Sequence, residues 1–298
     1  LHDALPIFDR YTHGFESLLA DIQAESWEVI VEQSGLTKNE IEEAAGIYNA
    51  SKATIFCWGM GITQHQRSVS TIQMLMNCLL LKGNIGKPGA GPCPVRGHSN
   101  VQGDRTMGIY EKPAAEFLDR LGAEFNFEPP RAHGYDVVAS IEAMLAGKAK
   151  VFFAMGGNFA AATPDTHRTA RALRQCDLTV HVSTKLNRSH LVHGKQALIL
   201  PCLGRSEKDI QSAGNQAVSV EDSMSMVHLS SGMKKPASPD LLSEPAIIAR
   251  LAVAALPDTK TPWLDLIANY DRIRERIAAV IPGFENFNQR VRVPGGFH

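Results

Sequence analysis

GMGITQHQRSVSTIQMLMNCLLLKGNIGKPGAGPCPVRGHSNVQGDRTMG, residues 59–108, is the stretch whose reading decides the fold. It opens on Gly59-Met60-Gly61, a glycine turn directly after the apolar run ATIFCW at 53–58. Residues 68–82 then read as one long apolar helix. The remainder is rich in Gly, Pro, Asn and Gln and carries Arg96 and Arg105. A connection this long without periodicity is uncommon unless it is functional or disordered. This one has almost no Ser, Glu or Lys filler, so it is expected to be an ordered coil in contact with something. The short continuous run at 53–58 predicts a strand buried on both faces of a parallel sheet. Helix, strand, glycine turn, helix is the order of an α/β fold.

Upstream, apolar residues at helical spacing predict a helix over 15–24. Ser26 is placed to cap a second helix through Gln33, ended by Gly35. Thr37 and Glu40 form a capping-box signature opening a third helix to about Ser51. Downstream, helices are expected over 111–121 and 135–146. The first pattern then recurs: VFFAM at 151–155 reads as a buried strand, Gly156-Gly157-Asn158 as its turn, and 164–175 as a helix starting with Pro164 at its first position. Strands are expected over 178–182 and 197–200. Beyond Pro201 the order changes: 204–240 reads as polar and loop-rich with a β stretch at 216–220, followed by helices over 244–255 and 263–281. The fold class is therefore α/β, with two Rossmann-like parallel-sheet units in three αβα layers meeting near 95–103. The first is incomplete, and an irregular C-terminal extension follows. The boundaries expected are 1–96, 97–203 and 204–298, with the 244–255 helix packing on the second unit. Leu1 to Ile7 (LHDALPI) does not continue the pattern, and the chain reads as part of something longer.

With 298 residues, 44% hydrophobic and 20% charged, the chain has the composition of a globular protein with a sizeable core. A net charge of −1 gives no electrostatic reason to propose nucleic acid as a partner. The longest apolar run, 72–81, is too short and too interrupted to span a membrane. Five scattered cysteines without a CxxC pair argue against a zinc or iron–sulfur site within this chain and against a disulfide framework. That usage suits a reducing compartment, so the cytoplasm is expected.

A glycine turn after a strand brings backbone N–H groups close to a phosphate, although it also serves simply as a tight strand exit. Two such turns point to an extended phosphate-bearing ligand. Arg96 has the planar donor set that suits an oxyanion or carboxylate, as well as a salt bridge. His65 and His98 have acid–base potential. His190 and His193, three apart, are spaced to meet on one helix face but have no third ligand nearby.

GMGITQ, the helix, and LKGNIGKPGAGPCPVRGHSNVQG together closely resemble the molybdopterin oxidoreductase family in its formate dehydrogenase alpha-subunit-like branch. VFFAMGGNFAAATPD, HVSTKLNRSH, LILPCLGRSEKD, VSVEDSMSMVHLSSG and IPGFENFN follow in the family's order. The resemblance implies a molybdenum ion held between two molybdopterin guanine dinucleotides cradled by two Rossmann-like domains. It also implies that this chain is the central fragment of the catalytic subunit. The metal-ligating residue and a [4Fe-4S] cluster would then belong to an N-terminal part, and a further domain to a C-terminal part. No residue of this chain is expected to ligate the metal. A small-molecule substrate, formate or a similar small anion, and an electron-transfer partner are implied.

Residue by residue, Gly59, Met60 and Gln64 match the loop that touches the cofactor near the metal. Arg96 matches the active-site arginine that contacts a substrate anion. His98, also assigned to catalysis, stands where formate dehydrogenases commonly have Gln, a departure two residues from the arginine that counts against strict formate specificity. Gly156 and Asn158 match the loop that meets a guanine dinucleotide. Ser183 and Thr184 match the following strand edge, without the acid common there. Lys208 matches the Lys of the family's Glu-Lys turn. The fragment alone is expected to be inactive. The alternative reading is a non-catalytic Rossmann-like module that binds a nucleotide or a partner.

Overall fold

A computed structural model describes residues 11–298; Leu1 to Ile7, and the expectation attached to them, lie outside the described residues. The chain divides into two compact units, one ending at His98 and the other Ser99–His298.

The first unit starts with helices Phe15–Ala24, Trp27–Ser34 and Lys38–Ala50. Their ends follow from side-chain chemistry. Ser26 Oγ accepts from Val29 N–H, and Gly35 closes that helix with φ 70°. Thr37 and Glu40 complete the capping box, with Thr37 N–H donating to Glu40 Oε2 at 2.8 Å. Strand β1 (Ile55–Trp58) then pairs in parallel with β2 (Gly91–Pro94), from Ile55 opposite Gly91 to Trp58 opposite Pro94. The register sets Cys57 opposite Cys93, and a thiol–thiol hydrogen bond raises the Cys57 pKa.

Strand β2 departs from the expected coil, as does helix Val101–Thr106 in the second unit. GPCP hides a strand because proline cannot donate to a ladder. Here β2 has one strand neighbour among the described residues, so its prolines cost no second ladder. Nor is β1 buried on both faces: Ile55 and Cys57 are exposed, while Phe56 and Trp58 are half-buried. The glycine turn continues into a short helix, Met60–Thr63, before the long one, Ser68–Leu81. Below that helix Tyr48 Oη donates to the Cys78 carbonyl at 2.7 Å, next to the fully buried Leu79 and Asn84.

The second unit is built on a parallel sheet in the order β3 (Val151–Met155), β4 (Leu178–Ser183), β5 (Gln196–Pro201). Helices Val137–Leu145 and Thr166–Gln175 bury Ile141, Met144, Leu173 and Cys176 against Phe152 on one face. Helix Glu244–Ala255 contributes Ile247 to a cluster with Val182 and Cys202 on the opposite face. Central β4 is buried, but β3 is covered on one side only. Val151, Phe153 and Met155 remain 60%, 37% and 42% exposed, contrary to the expected buried strand.

Several boundaries move for local reasons. Asp165, not Pro164, opens the 166–175 helix, its side chain accepting from Arg168 N–H. The helix expected over 111–121 runs Ala115–Phe125, and Asn126 ends it with φ 53°. The loop-rich segment beyond 204 contains two antiparallel pairs. Asp209–Gln211 (β6) pairs with Gly214–Gln216 (β7), and Val218–Glu221 (β8) with Val227–Ser230 (β9). The helix expected over 263–281 breaks into Trp263–Ala268 and Tyr270–Val280. Asn269 adopts an extended backbone there and its side chain accepts from Asp271 N–H, so it caps the second piece.

Arg274, 4% exposed, ties this helical end to the hairpins. It donates to the Ala217 carbonyl at 2.9 Å and to Asn288 Oδ1 at 2.7 Å, and pairs with Asp271, which Arg292 also holds. Arg274→Met keeps the stem and removes the donors. Because Asp271 retains Arg292, the expected loss is about 2 kcal/mol rather than the larger penalty of an orphaned buried charge. Urea denaturation of the 298-residue chain measures it as a lower midpoint.

Candidate functional site

Parallel strands end together, so residues following them gather along one sheet edge. In the first unit Gly59 follows β1 and Arg96 follows β2. Val95 N–H donates to the Trp58 carbonyl at 2.8 Å, which extends the pairing to the point where both segments leave the sheet. A Cβ on Gly97 would stand 3.4 Å from Met60 Sδ, so the Met60 and Arg96 segments pack side by side. Met60, Gln64, Arg96 and His98 are all exposed. The Arg96 guanidinium has no hydrogen bond or ion pair among the described residues. The structure therefore brings Gly59, Met60 and Arg96 together at one edge. It records no interaction that ties Gln64's side chain or His98 to them.

In the second unit Gly156 follows β3, Ser183 is the last residue of β4, and Lys208 lies beyond β5, directly before β6. Gly156 N–H donates to the Val182 carbonyl at 2.8 Å and Cys202 N–H to the Ser183 carbonyl at 3.3 Å. The three strand exits are thus held in register. Gly156 and Gly157 have φ of 70° and 72°, a conformation that favours glycine, and a Cβ on either would meet nothing within 4 Å. The loop surface is open. Ser183 Oγ is engaged with the Lys185 carbonyl at 2.8 Å, while Thr184 and Lys208 are exposed.

Sequence reasoning missed the residues behind this edge. Asn187 Nδ2 donates to the Gly157 carbonyl at 2.8 Å. Ser189 Oγ accepts from Ala160 N–H at 3.0 Å and donates to Asn158 Oδ1 at 3.0 Å. Ser189 belongs to a 3₁₀ turn, Arg188–Leu191, that Asn187 caps, and His190 Nδ1 accepts from Asn187 N–H. His190 is therefore a structural residue, and His193 lies outside the turn, bonded to the Gly194 carbonyl. Glu207 holds the Lys208 turn, its carboxylate accepting from Gly204 N–H and Ala237 N–H, both at 2.6 Å. Gly232 packs against that turn so closely that a Cβ would fall 1.8 Å from the Glu207 carbonyl oxygen. An Asn-x-Ser run after a strand is the available signal for the first group. The contacts themselves span about thirty residues and leave no periodicity.

A cavity of about 1200 Å³ in the second unit is apolar, lined by Phe117, Leu121, Ile248, Trp263 and Ile277 among others, and contains none of the sequence-predicted site residues. Among the described residues no group of three or more His, Cys, Asp or Glu is arranged to hold a metal ion, and no helix is long and apolar enough to cross a membrane.

Residues 36–192 match the family model for molybdopterin oxidoreductase. The chain belongs to the molybdopterin oxidoreductase family. It is 55% identical over 288 residues to Protein YdeP of Escherichia coli, covering 97% of this chain and 38% of YdeP. It is 53% identical over 290 residues to the uncharacterized oxidoreductase Rv2900c of Mycobacterium tuberculosis, covering 97% of this chain and 37% of that protein. Formate dehydrogenase H of Escherichia coli is 39% identical over 108 residues, 36% of this chain and 15% of that enzyme. The chain thus spans well under half the length of the curated relatives it matches. The family implies an oxidoreductase with a molybdenum or tungsten pterin cofactor, and the alternative of a non-catalytic module is not favoured.

Behind the 156–158 loop, the His181 and His190 rings pack tilted by 43° with centroids 4.9 Å apart, and both Nε2 atoms are buried without partners among the described residues. Burial lowers the His181 pKa, and the neighbouring His190 lowers it further. A histidine depressed in the folded state binds fewer protons than in the unfolded chain. Stability should therefore fall as pH drops below the ordinary histidine value of about 6.5. The thermal midpoint is expected to decrease from pH 7.5 to 5.5, and to decrease less in His181→Phe.

Proposed function

We propose that this chain is the cofactor-binding portion of a molybdenum bis(molybdopterin guanine dinucleotide) oxidoreductase of the formate-dehydrogenase-like kind, acting on formate or a similar small anion. The observation that carries the reading is Arg96: an exposed guanidinium, free of partners among the described residues, beside the Gly59-Met60 turn at the carboxyl ends of β1 and β2. A cation held ready but unpaired suits an anion that arrives from solution, and its fork matches a carboxylate in two-point contact.

The residues fit the group they would hold. The Gly156-Gly157 surface is open to close approach, and the Asn158 amide nitrogen has no partner among the described residues. Gly59, Met60 and Gln64 would line one pterin dinucleotide. Gly156, Asn158, Ser183, Thr184 and Lys208 would hold a guanine dinucleotide, with Lys208 offering a charge to its phosphates. When bound, the metal–pterin group supplies two-electron redox chemistry. The chain's own residues bind it and orient the substrate. Arg96 fixes the anion and remains charged throughout. His98, exposed two residues on, would bear on which anion is accepted. The [4Fe-4S] cluster, an electron-transfer partner and a cytoplasmic location belong to the same proposal for the longer protein.

In a protein of the relatives' length containing this chain, Arg96→Ala should lower kcat/KM for formate by roughly a hundredfold, leave molybdenum content unchanged, and be partly restored by Arg96→Lys. Steady-state kinetics with metal analysis reads this. Unchanged kinetics in Arg96→Ala would remove the small-anion role.

A further inference from the structure

Ser189 is 1% exposed and makes two hydrogen bonds, accepting from Ala160 N–H and donating to Asn158 Oδ1, each at 3.0 Å. The assignment of the second bond follows from proton counting. A serine hydroxyl has one hydrogen and two lone pairs. If the Asn158 amide were turned over, its nitrogen would donate to Ser189, which already accepts from Ala160. The Ser189 proton would then have no acceptor in a buried site, a loss of about 1–3 kcal/mol. The hydroxyl therefore dictates which end of the amide it faces.

We infer that Ser189 is a positioning residue that locks Asn158 with its carboxamide NH₂ presented to the ligand, making this loop selective for a hydrogen-bond acceptor on the bound nucleotide. The inference rests on the cofactor reading above. Asn158 Nδ2 has no partner among the described residues. Its backbone neighbour points the same way chemically: the Gly157 carbonyl is occupied from behind by Asn187 Nδ2, while the Gly157 N–H has no partner. At Gly157 and Asn158 these two acceptors are engaged by the protein, while Gly157 N–H and Asn158 Nδ2 are left for a ligand. A phosphoryl oxygen or a ring carbonyl meets that demand, and an amino group does not.

The test is equilibrium binding of GDP to the 298-residue chain by calorimetry, with pyrophosphate and guanosine as competing arms. Asn158→Asp retains an oxygen for Ser189 and replaces the ligand-facing donor by an acceptor, so GDP affinity should fall at least about tenfold with little change in melting temperature. Ser189→Ala should weaken GDP by about three- to tenfold, the worth of one hydrogen bond. In an Asn158→Ala background it should have no further effect. Competition by pyrophosphate assigns the acceptor to phosphate, and competition by guanosine to the base; either supports the inference. Wild-type affinity in Asn158→Asp overturns the donor assignment. An equal effect of Ser189→Ala with and without Asn158 makes Ser189 merely structural and overturns the proposal while leaving the cofactor reading in place. A wild-type chain that binds neither GDP nor pyrophosphate overturns both.

Discussion

The second unit depends on the hydrogen bond from Gly156 N–H to the Val182 carbonyl. It is the last rung between β3 and β4, and it fixes where the chain leaves the sheet. From that point two glycines at positive φ carry the backbone away, and a side chain there would be strained whatever the available space. The loop is not left to itself. Asn187 and Ser189, delivered by the exit of the neighbouring strand, hold it from behind. A loop that touches a ligand must keep its shape without the ligand, and bonds from a packed 3₁₀ turn provide that. The first unit repeats the arrangement more sparely, with Val95 N–H closing on Trp58 just before Arg96.

The β1–β2 and β3–β4–β5 sheets are both parallel, and this decides what kind of site is available. Parallel pairing puts every strand exit on one edge, so residues far apart in sequence become neighbours without further design. Gly156 and Ser183 reach their common edge in this way. The apolar cavity of the same unit reaches Met155 at the end of β3 but is lined by none of the residues that the family resemblance marks. The partner-free donors at the strand ends are the better guide, because burying an unpaired charge is costly and an exposed, unpaired guanidinium is free to accept an anion.

How much of this was legible in the sequence differs by element. Helices with side-chain caps were readable to within a residue or so, because Ser26, Thr37 and Gly35 act on their own neighbours. The α/β class was readable from the two strand–glycine pairs. Strand β2 was not, since GPCP carries neither alternation nor β-branched residues and is a strand only because β1 lies beside it. The break at Asn269 was hidden by an apolar pattern that continues across it. At the site, Gly156 and Asn158 stood out as a turn after a strand. Arg96 acquired a role only through the family resemblance, since composition alone suits a salt bridge equally well. Ser189 and Glu207 were invisible because their work is done across long sequence separations or on backbone N–H groups that the sequence does not show.

The central claim is that the carboxyl edge of the β3–β4–β5 sheet, and not the apolar cavity, is the nucleotide-binding surface. Backbone amide chemical shifts of the 298-residue chain during titration with GDP test it most directly. The account predicts perturbations concentrated at Gly157, Asn158, Thr184 and Lys208, with the cavity-lining Leu121, Ile248 and Ile277 unmoved. Perturbations centred on the cavity residues, or none at the strand edge under saturating nucleotide, would contradict it.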